Sequence, residues 1–63
     1  MTVSLAQQIE EVERELALRS RVYPGFIARG KMRQSLADYH MTRMRAVLQT
    51  LQRLAQEEAS SGG

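Results

Sequence analysis

Sixty-three residues with nine Lys or Arg, seven Asp or Glu, one histidine and no cysteine give a formal net charge of +2 at pH 7. A chain this short buries too little surface to offset its conformational entropy unaided; below roughly 70 residues the usual supplements are disulfides, a structural metal or oligomerisation. Disulfides are excluded by composition, and His40 alone cannot supply the roughly four ligands of a structural zinc site, so self-association is the supplement that remains.

The opening Met1-Thr2-Val3-Ser4-Leu5-Ala6-Gln7-Gln8 has no basic n-region and leads directly to Glu10 and Glu11, which argues against a secretory signal. No apolar run approaches the ~20 residues that span a bilayer. The expected setting is the cytoplasm, with no membrane, metal or cofactor involved.

Leu5, Ile9, Val12 and Leu16 recur at steps of four and three among Gln, Glu and Arg, the spacing of a helical stripe. Ser4 followed by Gln7 fits a capping box. The acids Glu10, Glu11, Glu13 and Glu15 precede Arg19 and Arg21, the order the helix dipole favours. This first helix is expected over about 4–22. Pro24 should stop it, since proline disfavours helical backbone at the preceding residue, here Tyr23. Pro24-Gly25-Phe26-Ile27-Ala28-Arg29-Gly30 is too apolar for a plain loop and reads as one helical turn inside a connection over 23–34, with Phe26 and Ile27 plugging the hairpin's end. Ser35 and Asp38 repeat the capping-box spacing and start the second helix, expected over about 35–57.

In the second helix Ala37, Met41, Met44, Leu48, Leu51 and Ala55 form one stripe, and Leu36, Val47 and Leu54 widen it. One partner helix covers one seam, so the additional row predicts packing against a second copy. The expected fold is therefore all-α: a single helical-hairpin domain over 1–58 that dimerises into a four-helix bundle. Its dimer and core residues are Leu5, Ile9, Val12, Leu16, Met41, Met44, Leu48 and Leu51, with a disordered tail over 59–63.

Catalytic constellations are fragmentary. Ser35, Asp38 and His40 are close in sequence, but residues two apart on a helix point to different faces, so no triad converges. The glycines, Gly25, Gly30, Gly62 and Gly63, match no nucleotide-binding fingerprint. The chain is expected not to be an enzyme. Charge is more informative, because Arg19, Arg21, Arg29, Lys31 and Arg33 follow one another with no acid between them, and Arg43 and Arg45 extend the basic region. This basic turn end is suited to phosphates or to an acidic protein surface, or is simply a solvated face. Tyr39 falls beside the methionine stripe and near Arg43; the two form a candidate contact pair, since Tyr and Arg are enriched at binding hot spots, with packing of Tyr39 against a helix as the alternative. Met41 and Met44 read as core, although methionines also make adaptable surfaces.

The run Val22-Tyr23-Pro24-Gly25-Phe26-Ile27-Ala28-Arg29-Gly30-Lys31-Met32, with Gln34-Ser35-Leu36-Ala37-Asp38 and Met41-Thr42-Arg43-Met44, resembles small helical-hairpin proteins of temperate phages and prophages. In these a glutamate-rich helix leads to a Tyr-Pro-x-aromatic turn, a Gly-Lys/Arg step and a second helix opening Gln-x-x-Ala-Asp. The resemblance covers residues 7–54. Gly25 departs from it where a bulkier, often basic residue is common, and Phe26 where tryptophan is common. The family itself mostly lacks an assigned activity, but small early phage proteins of this size commonly bind and inhibit a host protein; one type to which this chain is similar, the phage anti-activator, blocks a quorum-sensing transcription regulator and the type IV pilus assembly ATPase. Taken with the stripe geometry and the lack of catalytic groups, the resemblance implies a homodimeric host-protein inhibitor in the cytoplasm of a bacterial host. Residues alone leave a second reading, a nucleic-acid-binding protein contacting phosphates through Arg29, Lys31 and Arg33.

Overall fold

The computed structural model describes residues 2–61 and consists, over that span, of two helices, α1 (Leu5–Ala28) and α2 (Gln34–Ser61), folded back on each other as a hairpin. Local chemistry sets the start of α1. The Ser4 hydroxyl accepts from the Gln7 backbone N–H at 3.1 Å, and the Ser4 N–H donates to Gln7 Oε1 at 2.9 Å, closing the capping box. The Gln8 side-chain amide ties the preceding residue in place by donating to the Val3 carbonyl at 3.1 Å.

The end of α1 differs from the sequence expectation. Pro24 lies inside the helix, and Tyr23 has helical backbone. An interior proline costs roughly 3 kcal/mol against alanine. Two features offset it here: Tyr23 and Ile27 share a groove with Ala37 and Met41 of α2, and a glycine cap terminates the helix cleanly. Gly30 has φ +72°, its N–H donates to the Ile27 carbonyl at 3.0 Å, and the Lys31 N–H donates to the Phe26 carbonyl at 2.8 Å. That paired return is a Schellman cap, which requires the left-handed backbone that glycine adopts without strain. The helical turn foreseen in the connection is thus the last turn of α1. Arg19 and Arg21 consequently sit in mid-helix, and neither an acid in the first turn nor a base in the last turn of α1 serves the dipole.

At the start of α2 the Arg33 carbonyl accepts from Leu36 and Ala37, both at 3.1 Å, so Ser35 lies within the helix. Asp38 accepts instead from the Gln34 side chain at 2.9 Å, so the second capping box does not form. Ala59–Ser61, expected in a disordered tail, continue α2; Gly62 and Gly63 lie outside the described residues.

Leu5, Ile9, Val12 and Leu16 on α1 and Met41, Met44, Leu48, Leu51 and Ala55 on α2 are all half-buried, whereas the residues between them are mostly exposed. Two helices alone cannot do better. Ala37, at 3% exposure, is the one buried hydrophobic among the described residues, and no large side chain there is fully enclosed. Phe26 and Ile27 cannot both plug the hairpin, because consecutive helical residues are 100° apart; Ile27 faces α2 and Phe26 is exposed. The hairpin measures 50 × 22 × 16 Å with a radius of gyration of 14.9 Å, against about 10.6 Å for a compact chain of this length. Its 5088 Å² of accessible surface compares with about 4,100 Å² for a compact monomer of 7.2 kDa. No helix among the described residues is long and apolar enough to cross a membrane.

Candidate functional site

The exposed large apolar side chains are not scattered. Besides Val3 they are Leu18, Phe26, Leu36, Tyr39, Val47 and Leu54. Ala37 marks the line along α2 that faces α1. Leu36 precedes it by one residue, Val47 follows by ten and Leu54 by seventeen, and at 100° per residue all three fall about a quarter-turn to the same side. On α1 the facing line runs through Leu16 and Tyr23; Phe26 is displaced in the same rotational sense by about a quarter-turn, whereas Leu18, two residues past Leu16, lies near the outer face of α1. In two antiparallel helices, equal rotations bring residues to the same flank of the pair. One flank of the hairpin therefore carries Phe26, Leu36, Val47 and Leu54, with Gln8, Glu15 and Arg19 of α1 and His40 and Arg43 of α2 beside them. An open groove on this flank is lined by Gln8, Glu11, Val12, Val47 and Leu51. The opposite flank carries Glu13, Ser20, Gln34, Asp38, Arg45, Gln49, Gln52 and Gln56 at the corresponding positions. A flank of this kind on a small chain marks a contact surface.

Tyr39, two residues from Ala37, points away from α1 and is 52% exposed. Arg43, one turn on, lies over its ring at 5.0 Å from the centroid and donates from Nη1 to the phenol oxygen. The His40 ring meets the Tyr39 ring edge-on with centroids 5.6 Å apart. The candidate contact pair is thus a pre-stacked Tyr–Arg unit on the outer surface of α2, which reduces the side-chain entropy either residue would lose on binding.

The turn brings the cations together. Arg29, Lys31 and Arg33 are all exposed. The Arg29 guanidinium folds back to 5.6 Å from the Phe26 ring centroid and lies along Gly25. Lys31 and Arg33 are paired with no carboxylate among the described residues. Arg19 is occupied, donating from Nε to Glu15 at 3.0 Å. Folding also sorts the whole charge set along the long axis. Residues 19–45, the half nearest the turn, hold seven cations and one anion, net +6; the remainder holds two cations and six anions, net −4, and the halves sum to the chain's +2. This polarity was visible in the sequence as a run of basic residues, and so was the α2 part of the flank, the row Leu36, Val47 and Leu54; that Phe26 joins it was not, because the two helices are set side by side only by the turn.

Ser35, Asp38 and His40 do not converge: Asp38 is held by Gln34, and His40 packs on Tyr39. Among the described residues no group of three or more His, Cys, Asp or Glu is arranged to hold a metal ion. No protein-family model, no curated protein and no solved structure matches the chain.

Proposed function

We propose that this chain is a non-enzymatic, self-associating helical hairpin that binds and blocks another protein, its own second copy covering the apolar flank and the Tyr39–Arg43 unit meeting the target. The observation that carries this reading is the contrast within one small molecule between a core of one buried alanine and a single flank of large exposed apolar side chains. A two-helix hairpin with so little enclosed surface gains most of its stability from whatever covers that flank. Tyr39 faces away from α1 on the outer surface of α2, with Arg43 between it and the flank. The resemblance to phage hairpin proteins supports a bacterial target, with a quorum-sensing transcription regulator and the type IV pilus assembly ATPase as the two to try.

The test is size-exclusion chromatography with light scattering, first alone and then with each purified target. The expected result is a dimer of twice 7.2 kDa that forms a stoichiometric complex weakened by Tyr39→Ala. A folded monomer, or a dimer that binds neither protein, overturns the reading. Lys31 and Arg33, exposed and paired with no carboxylate among the described residues, favour one second reading, phosphate-backbone binding at the turn. That reading requires duplex DNA to shift the peak at low salt and the shift to vanish steeply as salt rises.

A further inference from the structure

We infer that the second copy packs against the apolar flank antiparallel to the first, about a two-fold axis perpendicular to the helices, so that the basic turn half of each hairpin lies against the acidic open half of the other. This rests on the self-association proposed above and specifies its geometry. A two-fold axis lying in the contact plane leaves two arrangements of a flank packed on itself. If the axis runs along the helices, the turn ends coincide, stacking two net +6 halves at one end and two net −4 halves at the other. If it runs across them, each +6 half meets a −4 half, and the two molecular dipoles cancel. Charge placement selects between orientations far more than it adds affinity.

The apolar residues of α2 fit the second arrangement. Leu36 lies toward the turn, Leu54 toward the open end and Val47 between them, so the crossing two-fold brings Leu36 near the partner's Leu54. Val47 sits at the midpoint of α2 and falls beside the axis, against its own copy. On α1 the same operation brings Glu15 near the partner's Arg19, the flank's one acid–base pair in a single chain exchanging into a four-charge cluster. The area is adequate: α1 runs for about 36 Å and the hairpin is 22 Å wide, giving on the order of 800 Å² per copy, the size of a stable interface.

The chain has no cysteine, so single-cysteine variants carry spin labels at one site each. Ser35→Cys, near the turn, and Ala46→Cys, at mid-helix, are both exposed on the outer side of α2, away from the flank. In the antiparallel dimer, pulsed electron–electron distances are expected to be about 20 Å longer for the Ser35 label than for the Ala46 label, from the rise along the helix. Dimer dissociation is also expected to strengthen with added salt, by about threefold or more between low and high ionic strength, because complementary charges are being screened. Equal distances at the two sites, or a dimer that tightens with salt, would overturn the antiparallel geometry alone. A labelled chain that sediments as a folded monomer overturns the self-association beneath it as well.

Discussion

Truncating the flank while leaving the hairpin's own seam intact separates the two roles of its apolar residues. Val47 and Leu54 remain 46% and 41% exposed in the single hairpin. Completely burying such side chains is worth about 1.5–3 kcal/mol each, so covering the exposed fraction contributes about 1 kcal/mol per residue, or roughly 4 kcal/mol for two residues in two copies. Alanine keeps the β-carbon and forfeits most of this, about 3 kcal/mol per dimer. The dimer dissociation constant of the Val47→Ala/Leu54→Ala variant is therefore expected to rise about 100-fold. Sedimentation equilibrium measures it directly, and circular dichroism at matched concentrations reports whether the freed hairpins unfold, as a core of one buried alanine implies. Gln49→Ala/Gln52→Ala, on the opposite flank, is the control and should leave the constant unchanged. A dissociation constant within about threefold of the parent for the flank variant would refute the assignment of this surface, because the same side chains make little other contact.

Three further perturbations address the local chemistry. Gly30→Ala places a side chain at φ +72° with no atom near its Cβ, so the loss is purely backbone strain and should be about 1–2 kcal/mol in thermal unfolding, whereas Gly25→Ala, whose Cβ meets only the flexible Arg29 side chain at 3.5 Å, should stabilise by up to about 1 kcal/mol. Ser4→Ala removes the acceptor of the 3.1 Å capping bond and should cost about 0.5–2 kcal/mol, seen as fraying of the first turn of α1 by hydrogen exchange. Tyr39→Ala deletes a half-exposed ring and should leave helicity and dimerisation essentially intact while weakening capture of the target protein by about 2 kcal/mol, roughly 30-fold, in a titration.

The features that could be read from sequence were those whose physics is local. Ser4 and Gln7 close their box because both partners lie within one turn, and the steps of four and three through Leu5, Ile9, Val12, Leu16 and through Met41, Met44, Leu48, Leu51 place each set on one line of its helix. Pro24 misled because its penalty is local while what surrounds it is tertiary: Tyr23 and Ile27, both half-buried, line one groove with Ala37 and Met41 of α2, and the Schellman cap falls at Gly30. Ser35 and Asp38 had capping-box spacing, but a glutamine one position earlier captured the aspartate. The same limit applied to Phe26, which shares composition with Ile27 but not its direction. For the site, the basic run was legible as charge without acids, and the Tyr39–Arg43 spacing of four residues already put the two on one face. The α2 row of the flank, Leu36, Val47 and Leu54, was legible in the same way; that Phe26 of α1 joins it emerges only when the two helices are placed side by side.

Completion of the hairpin by a second copy of itself remains the proposal on which the rest depends, and sedimentation equilibrium across a wide concentration range, paired with thermal melts at each concentration, addresses it without a partner. The expected result is a folded species of twice 7.2 kDa whose melting temperature rises with protein concentration. A cooperatively unfolding species of 7.2 kDa whose melting temperature ignores concentration would contradict it.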